Sequence, residues 1–133
     1  MSIKKIITGL ALSLLLGNGQ AVAIDGNELL AGCQTAVNQM DGGSIEDPSF
    51  SSGLAFGECL GILMGVRSTM IMYEVAGDLP QDNYLRPCFP ETGISNGQAA
   101  RIVTSYLKRN PAALHEDGTH LAVFAFLDAY PCK

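Results

Sequence analysis

Residues 57–66, with the sequence GECLGILMGV, decide how the rest of the chain is expected to fold. Gly57, Gly61 and Gly65 recur every four residues, so on a helix they share one face and leave a groove without side chains. A glycine inside a soluble helix costs about 1 kcal/mol relative to alanine, so three on one face indicate close backbone packing. We therefore predict that this groove receives another helix of the same chain or, alternatively, the same groove of a second copy across a two-fold axis.

The residues around these glycines are mostly apolar. They are Leu54, Leu60, Ile62, Leu63, Met64, Val66, Met70, Ile71 and Tyr73. Glu58 and Arg67 interrupt this run, which is then shorter than the roughly 18 apolar residues that a membrane-spanning helix needs. The pattern predicts a core helix.

The first 23 residues have the features of a secretory signal peptide. Lys4 and Lys5 precede an apolar run over residues 6–16, and residues 21–23, AVA, fit the small-x-small cleavage rule. The alternative, a membrane anchor, is disfavoured because the apolar run is short and ends in a good cleavage site. We predict a signal peptide over residues 1–23, one domain over residues 24–133, and a periplasmic location with no membrane contact after cleavage.

The mature chain is acidic. Cleavage after residue 23 removes two of the 8 basic residues and none of the 13 acidic ones, which leaves a formal charge of −7. This charge disfavours binding to nucleic acid and favours a basic protein partner.

All four cysteines, Cys33, Cys59, Cys88 and Cys132, lie in the mature chain. An even number in an exported protein predicts two disulfides, for which sequence alone permits three connectivities. If neighbouring helices run antiparallel, Cys33 meets Cys59 across the first helix pair, and Cys88 and Cys132 lie at one end. We therefore prefer these two pairs, with the other connectivities left open.

Cap signals and apolar periodicity mark four helices. Asp25 and Glu28 form a capping box for the first helix, which ends at residues 41–43, DGG. The glycine-bearing helix is expected from residue 52 or 53 to about residue 76. Ser95 and Gln98 form a second capping box, and the last helix follows a turn over residues 112–118. The sequence predicts an all-α fold, a small four-helix bundle linked by two disulfides.

Short motifs follow one another in a fixed order along the mature chain. They are Cys33 within a helix, G-x-C-x-G-x-x-x-G at 57–65, C-x-P at 88–90, S-x-G-Q at 95–98, Tyr106-Leu107 with Pro111 after it, and Tyr130-Pro131-Cys132. This order resembles the Tai/Rap-type immunity proteins, periplasmic antidotes to peptidoglycan amidases delivered by type VI secretion. The resemblance implies a homodimer that inserts a loop between its late helices into the amidase groove and blocks a Cys-His active site.

The sequence offers little that would support catalysis. His115 and His120 lie five residues apart, about 140° around a helix, and so do not chelate one ion from a single face. There is no Gly-x-Ser-x-Gly elbow and no phosphate-binding loop, and disulfide-bonded cysteines are not nucleophiles. We predict a protein that is not an enzyme and needs neither metal nor cofactor.

Irregular segments on a rigid bundle are the best candidates for partner binding. In the first, residues 110–118, Glu116 or Asp117 would accept a hydrogen bond from the amidase histidine, or would simply cap the last helix. We include the flanking His115 and His120 in this candidate site. The second segment, residues 78–91, contributes a further set of candidates. They are Tyr84, Arg86 and Glu91, of which the first two are residue types enriched at binding hot spots.

The sequence has two alternative interpretations besides toxin inhibition. A periplasmic chaperone or stress protein would also be small, helical and disulfide-linked, and it would expose apolar surface. A hydrolase is disfavoured because the sequence contains neither a catalytic triad nor a metal site. The preferred hypothesis is an immunity protein that inhibits a cell-wall amidase by blocking its groove.

Overall fold

The structure is a computed structural model that describes residues 23–44, 49–76 and 86–132. The described residues form four α-helices: α1 (Gly26–Met40), α2 (Phe50–Ala76), α3 (Asn96–Arg109) and α4 (Gly118–Ala129). A 3-10 turn, Pro111–Ala113, lies between α3 and α4. The all-α prediction is confirmed. The predicted signal peptide lies outside the described residues except for Ala23.

The helix starts follow the predicted caps with one difference. Asp25 and Glu28 form the complete capping box of α1. At α3, the Ser95 hydroxyl accepts a hydrogen bond from the Gln98 backbone N–H at 3.1 Å. The Gln98 side chain, however, donates to the Tyr130 hydroxyl at 2.9 Å. The α3 cap therefore has only the Ser95 hydrogen bond of a capping box. The Gln98 side chain instead joins the start of α3 to Tyr130 at the end of α4.

The first loop is shorter than the sequence suggested. α2 begins at Phe50, two or three residues before the predicted start. Ser49 supports this earlier start, because its hydroxyl accepts a hydrogen bond from the Ser52 backbone N–H at 3.3 Å. The predicted end of α2 at residue 76 agrees with the structure.

One apolar core joins the four helices. Its buried members are Leu29, Cys33, Ala36, Cys59, Leu63, Val66, Met70, Ala99, Ala100, Val103, Leu107, Leu121, Ala122, Ala125 and Phe126. α1 lies against both α2 and α3, and α4 completes the bundle. Arg67 of α2 donates hydrogen bonds to the Ile94 carbonyl at 2.8 Å and to the Asn96 side chain at 3.0 Å, which links α2 to the start of α3.

Two disulfides link the bundle as preferred from the sequence. Cys33–Cys59 joins α1 to α2 within the core, with both residues almost fully buried. Cys88–Cys132 is exposed and joins the segment before α3 to the end of the chain after α4. Phe89 reinforces this second link, because its ring packs edge-on against Phe126 and Tyr130 at centroid distances of 5.6 and 5.3 Å.

The prediction that Gly57, Gly61 and Gly65 pack against another helix of the same chain is wrong. Within the described part of the chain, a Cβ built on any of the three would meet no neighbouring atom within 4 Å, so no described helix packs into the groove. Cys59 and Leu63 lie on the opposite side of α2 and carry its packing. α2 has more apolar residues than its buried face accommodates, so apolar residues occur on both faces. Cys59 and Leu63 occupy the buried face, and the three glycines lie on the other.

α2 therefore has a large uncovered apolar surface. We call it the α2 outer face and define it by Phe50, Leu54, Gly57, Gly61, Gly65, Met72 and Val75. Phe50, Met72 and Val75 are 87%, 71% and 81% exposed. The stretch Phe50–Tyr73 is long and apolar enough to cross a membrane, with a mean hydropathy of 1.4, and only 22% of its window is buried. Among the described residues, α2 is linked through Cys59 to α1, and it packs against the bundle with the face that carries Cys59 and Leu63.

Candidate partner-binding surface

The α3–α4 loop, residues 110–118, is fixed by backbone hydrogen bonds to the start of α1. The Gly26 N–H donates to the Glu116 carbonyl at 3.0 Å, and the Asn27 N–H donates to the Leu114 carbonyl at 3.1 Å. In the reverse direction, the Gly118 N–H donates to the Ile24 carbonyl at 2.8 Å. These bonds satisfy N–H groups that the first turns of α1 and α4 leave unpaired within the helix. The loop is consequently part of the rigid body of the domain.

Two glycines permit this close approach. A Cβ on Gly118 would lie 3.0 Å from the Ile24 carbonyl oxygen, and a Cβ on Gly26 would lie 2.5 Å from the Leu121 side chain. The Asn27 side chain adds a hydrogen bond to the Leu114 carbonyl at 3.0 Å. The N-terminal ends of α1 and α4 are thereby held side by side, with the loop across them.

The predicted contact residues of this loop have different environments. His115 and Glu116 are exposed on the loop, and His120 is exposed on the first turn of α4. Asp117 is half-buried, and its carboxylate accepts the His120 backbone N–H at 2.9 Å as the N-cap of α4. Of the two roles considered for Glu116 and Asp117, Asp117 takes the capping role. Glu116 contributes its backbone to the hydrogen bonds with α1 while its side chain faces solvent.

The electrostatics beside the loop are set by Asp25. Its pKa lies below the usual value, chiefly because the carboxylate accepts the Glu28 backbone N–H at 2.9 Å. Hydrogen bonds from Asn27 lower the pKa further, and the His115 charge makes a smaller contribution in the same direction. Asp25 is therefore held as a carboxylate near His115, and this end of the domain carries acidic groups at the N-terminal ends of two helices.

The second predicted surface lies at the other end of α4. The Cys88 N–H donates to the Tyr130 carbonyl at 2.9 Å, which places residues 86–90 beside the C-terminal end of that helix. A 12-residue helix is about 18 Å long, so this segment and the α3–α4 loop are separate surfaces. Arg86 and Glu91 are exposed there. Tyr84 lies outside the described residues.

Some residues that shape the site were not found from the sequence. Gly26, Gly118 and Asn27 hold the loop against α1, although only the caps beside them were recognised. Gly32 was also missed: a Cβ there would lie 2.5 Å from the Ala55 carbonyl oxygen, so this glycine permits the close α1–α2 contact. Its position immediately before the disulfide-bonded Cys33 was the available signal, because a disulfide draws two helices together.

These features define a disulfide-linked helical domain that presents a fixed polar loop. Among residues 23–44, 49–76 and 86–132, no three His, Cys, Asp or Glu side chains form a group that would hold a metal ion. The model of the Rap1a immunity proteins matches residues 25–132, and the chain belongs to that family. It is accordingly a non-enzymatic immunity protein directed against a type VI secretion effector, and its disulfides and its family indicate an extracytoplasmic location. No curated protein and no solved structure matches the chain at a significant level.

Proposed function

We propose that this immunity protein neutralises a peptidoglycan amidase in the periplasm by placing its α3–α4 loop in the active-site groove of the toxin. The observation that supports the proposal is that the loop has a fixed backbone and exposed side chains. Its backbone is bonded to α1, while His115 and Glu116 extend into solvent. A loop fixed in this way loses little conformational entropy on binding, which favours tight inhibition.

Glu116 is the residue we assign to the toxin active site. Its carboxylate would accept a hydrogen bond from the histidine of a Cys-His amidase and favour the protonated form of that ring. With the histidine ring held by Glu116 and the groove occupied by the loop, substrate would be obstructed from reaching the cysteine nucleophile. His115, Asp117 and His120 would surround this contact, with Asp117 acting chiefly by capping α4.

The experiment compares two charge-matched variants. Glu116→Lys and Glu91→Lys each reverse one exposed acidic residue, at opposite ends of α4. We expect Glu116→Lys alone to weaken binding and inhibition of the cognate amidase, with the helical content and melting temperature of the protein unchanged. Equal losses in both variants would indicate a general charge effect. A loss in Glu91→Lys alone would assign the contact to the segment with Arg86 and, by sequence, Tyr84.

We further propose that the protein acts as a homodimer assembled through the α2 outer face. Gly57, Gly61 and Gly65 each weaken the helix by about 1 kcal/mol relative to alanine, and no contact among the described residues requires them. A second helix crossing there would contact the glycine backbone directly. It would also cover Phe50, Met72 and Val75, whose exposure is costly in an isolated domain. Helices that meet through such small residues come closer together than helices that meet through leucines.

Sedimentation tests the dimer. We expect the protein to sediment as a dimer and Gly61→Leu to sediment as a folded monomer, because a Cβ at position 61 meets no residue packed against α2 among 23–44, 49–76 and 86–132. A monomeric parent protein would contradict the dimer. Flotation with phospholipid vesicles would then show whether the α2 outer face contacts a membrane, as the length and hydropathy of this helix allow.

The chaperone alternative has one observation in its favour, because it predicts an exposed apolar surface and the α2 outer face is one. The two functions differ in selectivity. An immunity protein inhibits one amidase stoichiometrically, whereas a chaperone suppresses aggregation of many unfolded proteins. Membership of the immunity protein family supports the first.

A further inference from the structure

Asn27, in the first turn of α1, holds one carbonyl of the α3–α4 loop through two hydrogen bonds. Its backbone N–H donates to the Leu114 carbonyl at 3.1 Å, and its side-chain Nδ2 donates to the same oxygen at 3.0 Å. A carbonyl oxygen has two lone pairs, so these two bonds satisfy it completely. The position and the direction of the Leu114 carbonyl are therefore both fixed from α1.

The Asn27 side chain contributes the larger share of this contact. Its backbone N–H is shared, because it also donates to the Asp25 carboxylate at 2.9 Å. The other hydrogen of the side-chain amide faces the same carboxylate, with Nδ2 3.4 Å from Oδ2 of Asp25. Both neighbours of the amide are acceptors, so only its NH2 end suits this position. Asp25 thus orients Asn27, and Asn27 in turn holds Leu114.

This chain of hydrogen bonds ends directly before the two exposed side chains of the loop. The peptide plane that contains the Leu114 carbonyl also contains the backbone nitrogen of His115. After the next residue, the Glu116 carbonyl accepts the Gly26 N–H at 3.0 Å. His115 and Glu116 therefore lie between two anchored carbonyl groups. Because both side chains are exposed, their directions depend on this backbone rather than on packing.

We propose that Asn27 is a positioning residue for toxin binding, which sets the directions of His115 and Glu116 without contacting the toxin itself. The inference rests on the proposed function, in which Glu116 reaches the active site of an amidase. Without the Asn27 side chain, the Leu114 carbonyl keeps only a shared backbone N–H, and the peptide before His115 gains freedom to rotate. Binding must then order this peptide, and the affinity falls by the entropy that is lost.

Amide relaxation measured by NMR on the free, oxidised protein tests the first step. We expect lower order parameters at His115 and Glu116 in Asn27→Ala than in the parent protein. The melting temperature should change by no more than a few degrees, because the backbone hydrogen bonds remain. Asn38→Ala is the matched control: it removes an exposed amide from the other end of α1, where Nδ2 donates to the Ser44 carbonyl at 3.4 Å. Unchanged order parameters in Asn27→Ala would overturn the proposal.

Affinity tests the second step, with the type VI peptidoglycan amidase that the parent protein binds most tightly in a panel. We expect Asn27→Ala to weaken binding about five- to tenfold and Asn38→Ala to leave it unchanged. The same substitution is then made in a variant that carries both His115→Ala and Glu116→Ala. There the effect of Asn27→Ala should shrink, because no loop side chain is left to position. Fully additive losses would refute the positioning role and assign Asn27 a toxin contact of its own.

The proposed function and the positioning role fail in different ways. If Glu116→Ala leaves the affinity unchanged, or if no amidase in the panel is bound, the proposed function is refuted. The relaxation measurement then decides whether Asn27 orders the loop. If Glu116→Ala weakens binding and Asn27→Ala does not, the proposed function stands and the positioning role is refuted.

Discussion

The close contact between α1 and α2 gives the sharpest test of the fold, through the substitution Gly32→Ala. Gly32 precedes the buried Cys33, whose disulfide to Cys59 holds the two helix backbones with a Cα–Cα distance of 5.2 Å. An alanine Cβ would lie 2.5 Å from the Ala55 carbonyl oxygen and 3.2 Å from its carbonyl carbon. Both are backbone atoms, so no side-chain rotation relieves the overlap. The helices would have to move apart against the disulfide.

The expected magnitude follows from two opposing effects. Alanine gains up to about 1 kcal/mol over glycine in a helix interior. Overpacking of a core contact costs about 1–3 kcal/mol, and we expect the upper part of this range because the contact is backbone and covalently restrained. A net loss of roughly 2 kcal/mol corresponds to a melting temperature lower by about 10 °C in a domain of this size. Thermal unfolding followed by circular dichroism measures it.

The matched control is Gly53→Ala on α2. A Cβ at position 53 meets no neighbouring atom of the described residues within 4 Å, so the same substitution is expected to raise the melting temperature by a few degrees. If Gly32→Ala proved as stable as the parent protein while Gly53→Ala behaved as expected, the close approach of α1 and α2 would be refuted.

Two further predictions concern acid and reductant. Because the folded-state pKa of Asp25 lies below its unfolded value, its contribution to stability is complete above a pH of about 4 and is lost as the pH falls through the folded-state pKa. Unfolding of Asp25→Asn, which keeps a capping side chain, should therefore show a weaker acid dependence. Mild dithiothreitol should open the exposed Cys88–Cys132 before the buried Cys33–Cys59, as measured by alkylation and mass spectrometry.

Each of these predictions has an outcome that would contradict it. Identical acid profiles for the parent protein and Asp25→Asn would mean that another carboxylate governs the acid response. Simultaneous reduction of both disulfides would mean that the protein unfolds before Cys88–Cys132 is attacked. Reduction of Cys33–Cys59 first would contradict its burial.

The features that the sequence predicted correctly are local ones. Asp25, Ser95 and the residues near Gly42 mark helix ends through hydrogen bonds within a few residues, and the structure has helix boundaries there. The preferred disulfide pairs also agree with the structure, and they were preferred on the assumption that neighbouring helices run antiparallel. The predicted Ser95–Gln98 capping box is incomplete, because the Gln98 side chain donates to the hydroxyl of Tyr130, a residue distant in sequence.

The direction that α2 faces could not be predicted from its composition. Its apolar residues occur all around the helix, so periodicity did not distinguish the buried face of Cys59 and Leu63 from the outer face of Gly57 and Gly61. Asp117 was similarly ambiguous, because an acidic residue before a helix is suited both to capping and to partner contact. The folded chain assigns Asp117 to capping, because its carboxylate accepts the His120 backbone N–H.

The hydrogen bonds between the start of α1 and the α3–α4 loop have a practical consequence for protein engineering. Chain that precedes Ile24 emerges next to the loop, because the Ile24 carbonyl accepts the Gly118 N–H. An affinity tag or fluorescent protein fused at this point would stand beside His115 and Glu116 and obstruct whatever approaches them. A fusion after Cys132 would leave from the other end of α4, about 18 Å away. Tags for purification or display should therefore be placed at the C-terminal end.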